Sequence, residues 1–142
     1  MTKRERTNPT LRCLERIDFF RSCDARQLSQ LLPNADVTDV PPGTTIAHAG
    51  SSVRQFIGIV DGYVETLDEH GQPTVLGPGD QIGARELLDD SVHPVTAVTL
   101  TRATLVAVFG PPFRWAAHDL DVDAALSRST SSPAIHELAP VG

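Results

Sequence analysis

The residues with the clearest capacity for chemistry lie in one short segment, which contains a glycine followed by an arginine and a glutamate. Residues 77–90 read GPGDQIGARELLDD. Gly83 lets the backbone approach a ligand closely because it carries no side chain. The residues that follow can form a helical turn whose free N–H groups would face an anion such as a phosphate. Arg85 and Glu86 are the charged side chains within that turn.

The other reactive residue types form no catalytic or metal-binding pattern. The five histidines contain no His-x-His pair, which argues against the metal site of a cupin barrel. Asp119, Asp121 and Asp123 match the first three ligand positions of an EF-hand loop. However, Ala124 stands where that loop needs glycine and Thr130 where it needs glutamate, so we expect a solvated helix face. With no nucleophile triad, P-loop or HExxH, we expect no enzyme, metal or cofactor.

Length and charge limit the partners and the compartment. The chain has 142 residues, of which 40% are hydrophobic and 21% charged, as expected for one globular domain. Its formal charge of −6 argues against general affinity for nucleic acid or anionic membranes. No apolar run approaches the roughly 18 residues of a membrane span, and no secretory signal is visible. Cys13 and Cys23 fit free thiols in a reducing compartment, so we expect a cytoplasmic protein.

Two short helices are predicted before the central region. Apolar residues recur at helical spacing from Leu11 to Phe20, which predicts an amphipathic helix that ends near Phe20. Asp24 with Gln27 three residues later predicts a capping box. The helix that this box begins should stop at Pro33.

A series of short strands is predicted over about residues 35–110. Pro42-Gly43 and Pro78-Gly79 have the form needed at the centre of type II turns. Asp61-Gly62 separates two apolar runs and predicts a hairpin. Many short strands at this spacing favour a mainly β fold with flanking helices, a sandwich or an antiparallel jelly-roll barrel rather than a parallel sheet.

A helix and a tail are predicted after the strands. Phe113 and Trp115 should begin this helix and pack against the strands. Residues 127–142 contain Ser, Thr and Pro without periodicity and predict a flexible tail. The expected organisation is a frayed N-terminus over residues 1–10 and one domain over residues 11–126, followed by that tail.

Taken in order, these segments resemble the cyclic-nucleotide-binding domain of catabolite-activator-type regulators, kinase regulatory subunits and gated channels. Residues 77–90 resemble the family's phosphate-binding cassette, "PGD.FGE.ALL". Residues 14–20 resemble its opening "L..vplF", residues 40–50 its "v.pG..I...G", residues 56–64 its "lyiI.sG.V" and residues 101–113 its "T.v.ll.l....F". The resemblance implies an antiparallel double-stranded β-helix that holds a cyclic nucleotide, cyclic AMP or cyclic GMP, at the cassette.

The resemblance also implies site residues, and this sequence departs from the family at two of them. In the family, a Glu directly after the glycine accepts the ribose 2′-hydroxyl, and an Arg from the next loop pairs with the cyclic phosphate. Here these positions hold Ala84 and His93. Glu86 lies two residues further on, about 200° around a helix, so we expect it to point elsewhere. The implied ligand-binding residues are Gly83, Ala84, Arg85, Glu86, Leu87, His93, Pro94 and Val95.

Two functional hypotheses follow. The first is a stand-alone sensor or regulatory domain that binds a cyclic nucleotide or another small anion weakly and acts through a partner. The alternative is a protein-interaction module that keeps the β-roll but has lost nucleotide binding. Both hypotheses need an unidentified protein partner, are compatible with a homodimer, and involve neither nucleic acid nor membrane.

Overall fold

The computed structural model describes residues 8–111 and Phe113. The helices are α1 (Pro9–Glu15), α2 (Ala25–Ser29) and α3 (Ala84–Asp89), with 3₁₀ turns at Asp18–Phe20 and Leu32–Asn34. The strands are β1 (Ala35–Val40), β2 (Thr45–Ala47), β3 (Gln55–Asp61), β4 (Val64–Leu67), β5 (Pro73–Leu76), β6 (Gln81–Ile82), β7 (Thr96–Thr99) and β8 (Ala103–Phe109).

The strands form two four-stranded antiparallel sheets. The first sheet has the order β1-β8-β3-β6 and the second sheet the order β2-β7-β4-β5. Except for the β4–β5 hairpin, the described strands pair with partners distant in sequence instead of with their neighbours, which is the topology of a β-roll. The prediction of an antiparallel jelly-roll over about residues 35–110 is therefore confirmed.

Strands β3 and β8 of the first sheet are buried on both faces because they contribute alternate residues to two cores. One core joins that sheet to the N-terminal helices and includes Phe56 and Val106 of the sheet and Leu14 of α1. The other lies between the two sheets and includes Ile59 of the first and Val64 of the second. The second sheet contributes to this inter-sheet core alone, so its outer face receives no helix among the described residues.

Four phenylalanines form the centre of the helix-side core. Their ring centroids lie 4.9 to 6.3 Å apart, and Phe56 stacks on Phe113 at 4.9 Å with an interplanar angle of 21°. Phe113 is 0% exposed, so the prediction that it packs against the β-roll is confirmed. We refer to Phe19, Phe20, Phe56 and Phe113 as the aromatic cluster.

The predicted first helix is wrong in its extent. It begins at Pro9, capped by the Asn8 side chain, and ends at Glu15. Ile17 is extended, with φ −87° and ψ 124°, and the next backbone N–H, of Asp18, donates to the Gly79 carbonyl 2.9 Å away. The break allows consecutive phenylalanines at 19 and 20 both to be buried, which one face of a continuous helix does not permit.

The second helix begins as predicted and ends early. The Asp24 side chain accepts from the Gln27 N–H at 2.8 Å, and the Gln27 side chain accepts from the Asp24 N–H at 2.8 Å. This capping box is confirmed. The helix ends at Ser29, and the chain passes Pro33 within a 3₁₀ turn rather than at the end of an α-helix.

The predicted hairpin at Asp61-Gly62 is wrong. Strand β3 before this pair bonds to β6 and β8, whereas β4 after it bonds to β5 and β7. Gly62 has φ +91°, and a Cβ placed on it would lie 2.4 Å from the Arg102 carbonyl oxygen. The pair is therefore a corner where the chain passes from one sheet to the other. Turn residues determine a change of direction but not the strand with which the chain then pairs.

Several sequence predictions lie outside the described residues. Gly110 and Pro111 are already helical, so the turn into the C-terminal segment begins before the expected start at Phe113. Trp115, the aspartates from Asp119 to Asp123, and residues 127–142 are not among the residues that the structure describes, and neither are residues 1–7. Within the described chain, no helix combines the length and the apolar character needed to cross a membrane.

Candidate functional site

A rigid turn holds the start of the cassette, which we define as residues 77–95. The Asp80 N–H donates to the Gly77 carbonyl at 3.0 Å, and the Asp80 carboxylate accepts from the Gly77 N–H at 2.8 Å. Gly79 has φ +97°, as the predicted type II turn requires. Asp80 is 4% exposed. The Gly79 N–H donates to the Ile59 carbonyl of β3, and the Asp80 carbonyl accepts from the Ile59 N–H. This turn fixes the point from which the cassette departs.

Gly83 begins the cassette helix in a conformation that favours glycine. Its φ is +99°, and a Cβ there would lie 2.9 Å from the Gln55 carbonyl oxygen. Helix α3 follows directly, as predicted. However, the Ala84 N–H donates to the Gln81 side-chain oxygen at 3.0 Å. One of the free donors expected to face an anion is therefore satisfied within the protein.

The side chains of α3 point in three different directions. Ala84 and Leu87 are 0% and 2% exposed and belong to the helix-side core. Arg85 is exposed to solvent. Glu86 is half-buried and lies within electrostatic range of His93. The sequence position equivalent to the family's glutamate thus holds a small side chain directed into the apolar core.

His93 lies where backbone hydrogen bonds join two loops. Its N–H donates to the Ser51 carbonyl at 2.9 Å, and its own carbonyl accepts from the Gly50 N–H at 2.9 Å. Val92 and Ser52 form an isolated antiparallel bridge beside it. The side chain is 8% exposed, and its Nδ1 atom has no hydrogen-bond partner among the described residues. Beyond it, Pro94 is exposed and Val95 half-buried.

The surroundings of His93 keep its imidazole neutral. Burial lowers the pKa of His93 below its ordinary value of 6.5 because the charged form loses hydration. The Glu86 carboxylate opposes this lowering of the pKa, and the neighbouring His48 adds to it. At neutral pH His93 therefore supplies no positive charge.

The structure brings some of the implied site residues together and separates others. Glu86 lies within electrostatic range of His93, while Ala84 and Leu87 face the core and Arg85 faces solvent. Sequence reasoning did not single out Gln81 or His48 as parts of this site. The Gln81 contact spans only three residues but follows none of the usual capping patterns, whereas His48 approaches through backbone hydrogen bonds between two loops that are distant in sequence.

Within residues 8–111 and 113, no group of three His, Cys, Asp or Glu side chains is arranged to hold a metal ion. The arrangement instead keeps the glycine, the short helix and the supporting turn that the family resemblance implies for the cassette. Among its described basic side chains, Arg85 is exposed and His93 is buried.

Comparisons with known proteins agree with this geometry. A family model for the cyclic nucleotide-binding domain matches residues 37–118. No curated protein matches the chain significantly. Among solved structures, the sensor domain of the transcriptional regulator DNR from Pseudomonas aeruginosa is similar, with a TM-score of 0.70 and 17% identity over 87% of this chain and 91% of that chain.

A kinase subunit gives a second comparison. The regulatory subunit of a cAMP-independent protein kinase A from Trypanosoma brucei has a TM-score of 0.75 and 22% identity over 92% of this chain and 47% of that chain. A mutant of that subunit with three substitutions, bound to cAMP in the A site, has a TM-score of 0.74 and 22% identity, over 98% of this chain and 51% of the subunit. The chain thus spans about half of the subunit. Because the family model covers more than half of the 142 residues, the chain belongs to the cyclic nucleotide-binding domain family.

Proposed function

We propose that this chain is a regulatory interaction module, a cyclic nucleotide-binding domain that has lost high-affinity nucleotide recognition and acts through a protein partner. The observation that carries the proposal is His93, which is buried and held neutral at the position where the family resemblance implies a phosphate-binding arginine. Ala84 likewise offers no carboxylate for a ribose hydroxyl.

The expected size of the loss is large. A charge-assisted hydrogen bond contributes about 1.5–3 kcal/mol, so the absence of two such bonds costs roughly 3–6 kcal/mol. That free energy corresponds to about two to four decades in dissociation constant. A domain that would otherwise bind at micromolar concentration then binds at millimolar concentration or not at all.

The kinase relative supports the separation of fold from ligand. That regulatory subunit is described as cAMP-independent, and a variant of it with three substitutions is found bound to cAMP. In this chain the supporting turn, the left-handed Gly83 and helix α3 are all present, although the ligand-facing side chains differ. The same roll therefore suits a protein that signals through its surface.

A second candidate function is weak binding of cyclic AMP, cyclic GMP or another small anion. Arg85 favours it, because this exposed guanidinium lies in α3 and forms no ion pair with the described residues. In this alternative Arg85 would supply the charge that His93 lacks, and the ligand would control contact with the partner.

Calorimetric titration of the full chain with cyclic AMP and cyclic GMP separates the two functions. We expect no saturation below about 1 mM, from the loss of two contacts. Micromolar binding that Arg85→Ala abolishes would overturn the interaction module and establish the sensor. Micromolar binding that is insensitive to Arg85→Ala but lost in His93→Ala would overturn two proposals, that His93 contributes no charge to the ligand and that Arg85 supplies it.

A restored cassette provides the positive control. Ala84→Glu with His93→Arg supplies both family contacts, and the folded double variant should bind cyclic AMP at least about a hundredfold more tightly than the parent. Because Ala84 and His93 are both buried, a melting curve must first show that the variant is folded. A folded variant that still fails to bind would mean that the cassette is closed to nucleotide, which again supports the interaction module.

A further inference from the structure

The outer face of the second sheet is an apolar surface with one charge near its centre. The strand register assigns its members, because residues directly opposite one another in an antiparallel pair lie on the same face. Val64 and Thr66, with their partners Leu76 and Ala97, point into the roll and are buried. The alternate residues of the same strands must therefore point outward.

Three rows of side chains make up this surface. The central row crosses the sheet as Thr45, Val98, Glu65 and Val75, and the row beside it as Thr96, Leu67 and Pro73. The third row continues the register to Leu100 and Tyr63, where the Leu100 N–H donates to the Tyr63 carbonyl at 2.9 Å. We refer to these nine residues as the outer face.

Large apolar side chains on the outer face remain in contact with water. Leu67 is 39% exposed, Leu100 46% and Tyr63 50%. They are three of the six large hydrophobic residues that are exposed in the described chain. The opposite side of the roll, by contrast, is covered by α1, α2 and the aromatic cluster. Among the described residues, the outer face is thus the side of the roll that no helix covers.

Glu65 gives the outer face a negative charge. It stands between Val75 and Val98, neither of which can pair with a carboxylate, and it forms no ion pair with the described residues. The adjoining β4–β5 turn adds Asp68 and Glu69, and neither this turn nor the four strands contain Lys or Arg. A partner that covers these apolar residues must therefore satisfy a carboxylate with a cation.

The size of the outer face sets the size of its partner. Three strand spacings of about 4.8 Å by four residues of about 3.3 Å give an area on the order of 200 Å². A stable dimer of two domains buries about 800 Å² on each partner. Two turns of a helix, about 11 Å long and about 10 Å wide, match the outer face well.

A second copy of this chain is a poor occupant. Two outer faces packed against each other would oppose Glu65 to its own equivalent near the symmetry axis, and like charges repel when they are removed from water. The outer face, on the order of 200 Å², is also much smaller than the roughly 800 Å² that each partner of a stable dimer buries. The charge and the dimensions together favour one amphipathic segment of opposite sign.

We propose that the outer face docks a single amphipathic helix of a partner protein, with a Lys or Arg in its apolar stripe placed opposite Glu65. The proposal rests on the proposed function as an interaction module and names the chemistry of the partner. The apolar contact is made by Leu67, Leu100 and Tyr63. Glu65 selects a partner helix with a positive charge. The outer face adjoins the loops that hold His93 at Thr96, whose hydroxyl oxygen accepts from the Ala49 N–H at 3.1 Å.

Synthetic helices provide the test. Three acetylated 14-residue peptides share one leucine stripe and differ only in its central residue, which is Lys, Gln or Glu. Fluorescence anisotropy with the full chain should show the Lys peptide binding at least about tenfold more tightly than the Glu peptide. In Glu65→Lys this order should reverse. In the matched control Glu15→Lys, which changes an exposed acid of α1 on the opposite side of the roll, the order should stay as in the parent.

The other results each overturn the proposal. If the order of peptide affinities is the same in the parent and in Glu65→Lys, the outer face selects no cationic helix. The same conclusion follows if the Lys peptide does not bind. Sedimentation that reveals a dimer disrupted by Leu67→Ser would assign the face to a second copy. Tighter binding of a peptide with residues 131–142, which contains Glu137 and no Lys or Arg, would assign it to the chain's own C-terminal segment.

The nucleotide titration reports separately on the proposed function. If cyclic AMP binds tightly while the peptide order still depends on Glu65, the lost-ligand assignment fails and the docking surface stands. If neither nucleotide nor peptide binds, the docking proposal fails and the cassette assignment stands. The two experiments therefore fail independently.

Discussion

The backbone N–H of Ala84 donates to the side-chain oxygen of Gln81 at 3.0 Å, at the start of the cassette helix. This bond occupies a donor that an anion would otherwise need. It also joins the first residue of β6 to the first residue of α3, so that the same contact stabilises the fold and competes with a ligand.

Removal of this contact should lower the stability of the chain by a small amount. We expect Gln81→Ala to reduce the free energy of unfolding by about 0.5–1.5 kcal/mol, the usual net contribution of one hydrogen bond. Urea unfolding followed by circular dichroism measures the change. Gln72→Ala, in an exposed turn, is the matched control and should change stability by less. Equal effects of the two variants would mean that the Gln81 contact contributes nothing.

The stability of the chain should fall in mild acid because of His93. Burial lowers the pKa of His93 in the folded state below 6.5, so the unfolded state binds more protons between the two pKa values. This contribution is complete above about pH 6.5 and is lost as the pH falls through that value towards the folded pKa. Urea unfolding from about pH 7.5 to about pH 5 should show a decrease that is smaller in His93→Gln.

The exposed His70 provides the comparison for that experiment. Its side chain is 78% exposed in a turn, so His70→Gln should retain the pH dependence of the parent. A decrease of the same size in the parent and in His93→Gln would show that other groups cause the loss of stability in acid.

Truncation of Phe113 should be severely destabilising. The ring is 0% exposed and stacks on Phe56 at 4.9 Å, so Phe113→Ala should cost about 3–5 kcal/mol of unfolding free energy. Phe109→Ala removes a ring that is 54% exposed and should cost much less. Chemical denaturation of both variants makes the comparison. Similar losses would contradict the position of Phe113 at the centre of the aromatic cluster.

Two glycines with left-handed backbones should respond differently to alanine. Gly71 has φ +74° with open space around it, so Gly71→Ala should cost only the backbone strain, about 1–2 kcal/mol. Gly62 has φ +91°, and the Arg102 carbonyl oxygen lies 2.4 Å from where its Cβ would be. Gly62→Ala should therefore cost clearly more than Gly71→Ala. Melting curves of the pair measure this, and a Gly62→Ala variant as stable as Gly71→Ala would refute the close approach at the corner.

Local features of the fold were predictable from the sequence because their partners lie a few residues apart. Asp24 and Gln27 complete their capping box within one turn of helix, and Pro78-Gly79 closes a turn on its own neighbours. The jelly-roll followed from the spacing of such turns. The Asp61-Gly62 corner did not, because whether a chain re-enters its own sheet depends on strands far away in sequence.

The candidate site was predictable in position and less so in arrangement. Gly83 and α3 lie where the resemblance places them. Glu86 lies within electrostatic range of His93, and backbone hydrogen bonds join His93 to residues 50 and 51, which are distant in sequence. The break of the first helix has the same origin, since the Asp18 N–H bonds to Gly79.

The position of β8 has a consequence for how the protein is made. This strand lies between β1 and β3, and it pairs Ala35 with Val108, the first strand with the last. A chain emerging from the ribosome therefore holds an open row of amide and carbonyl groups on two strands until nearly the whole roll has been synthesised. Such long-range pairing slows folding and leaves nascent edges accessible to chaperones or to other chains. Chains that stop before β8 cannot close the first sheet, so we expect incomplete translation products to be recognised and degraded rather than to persist as partial domains.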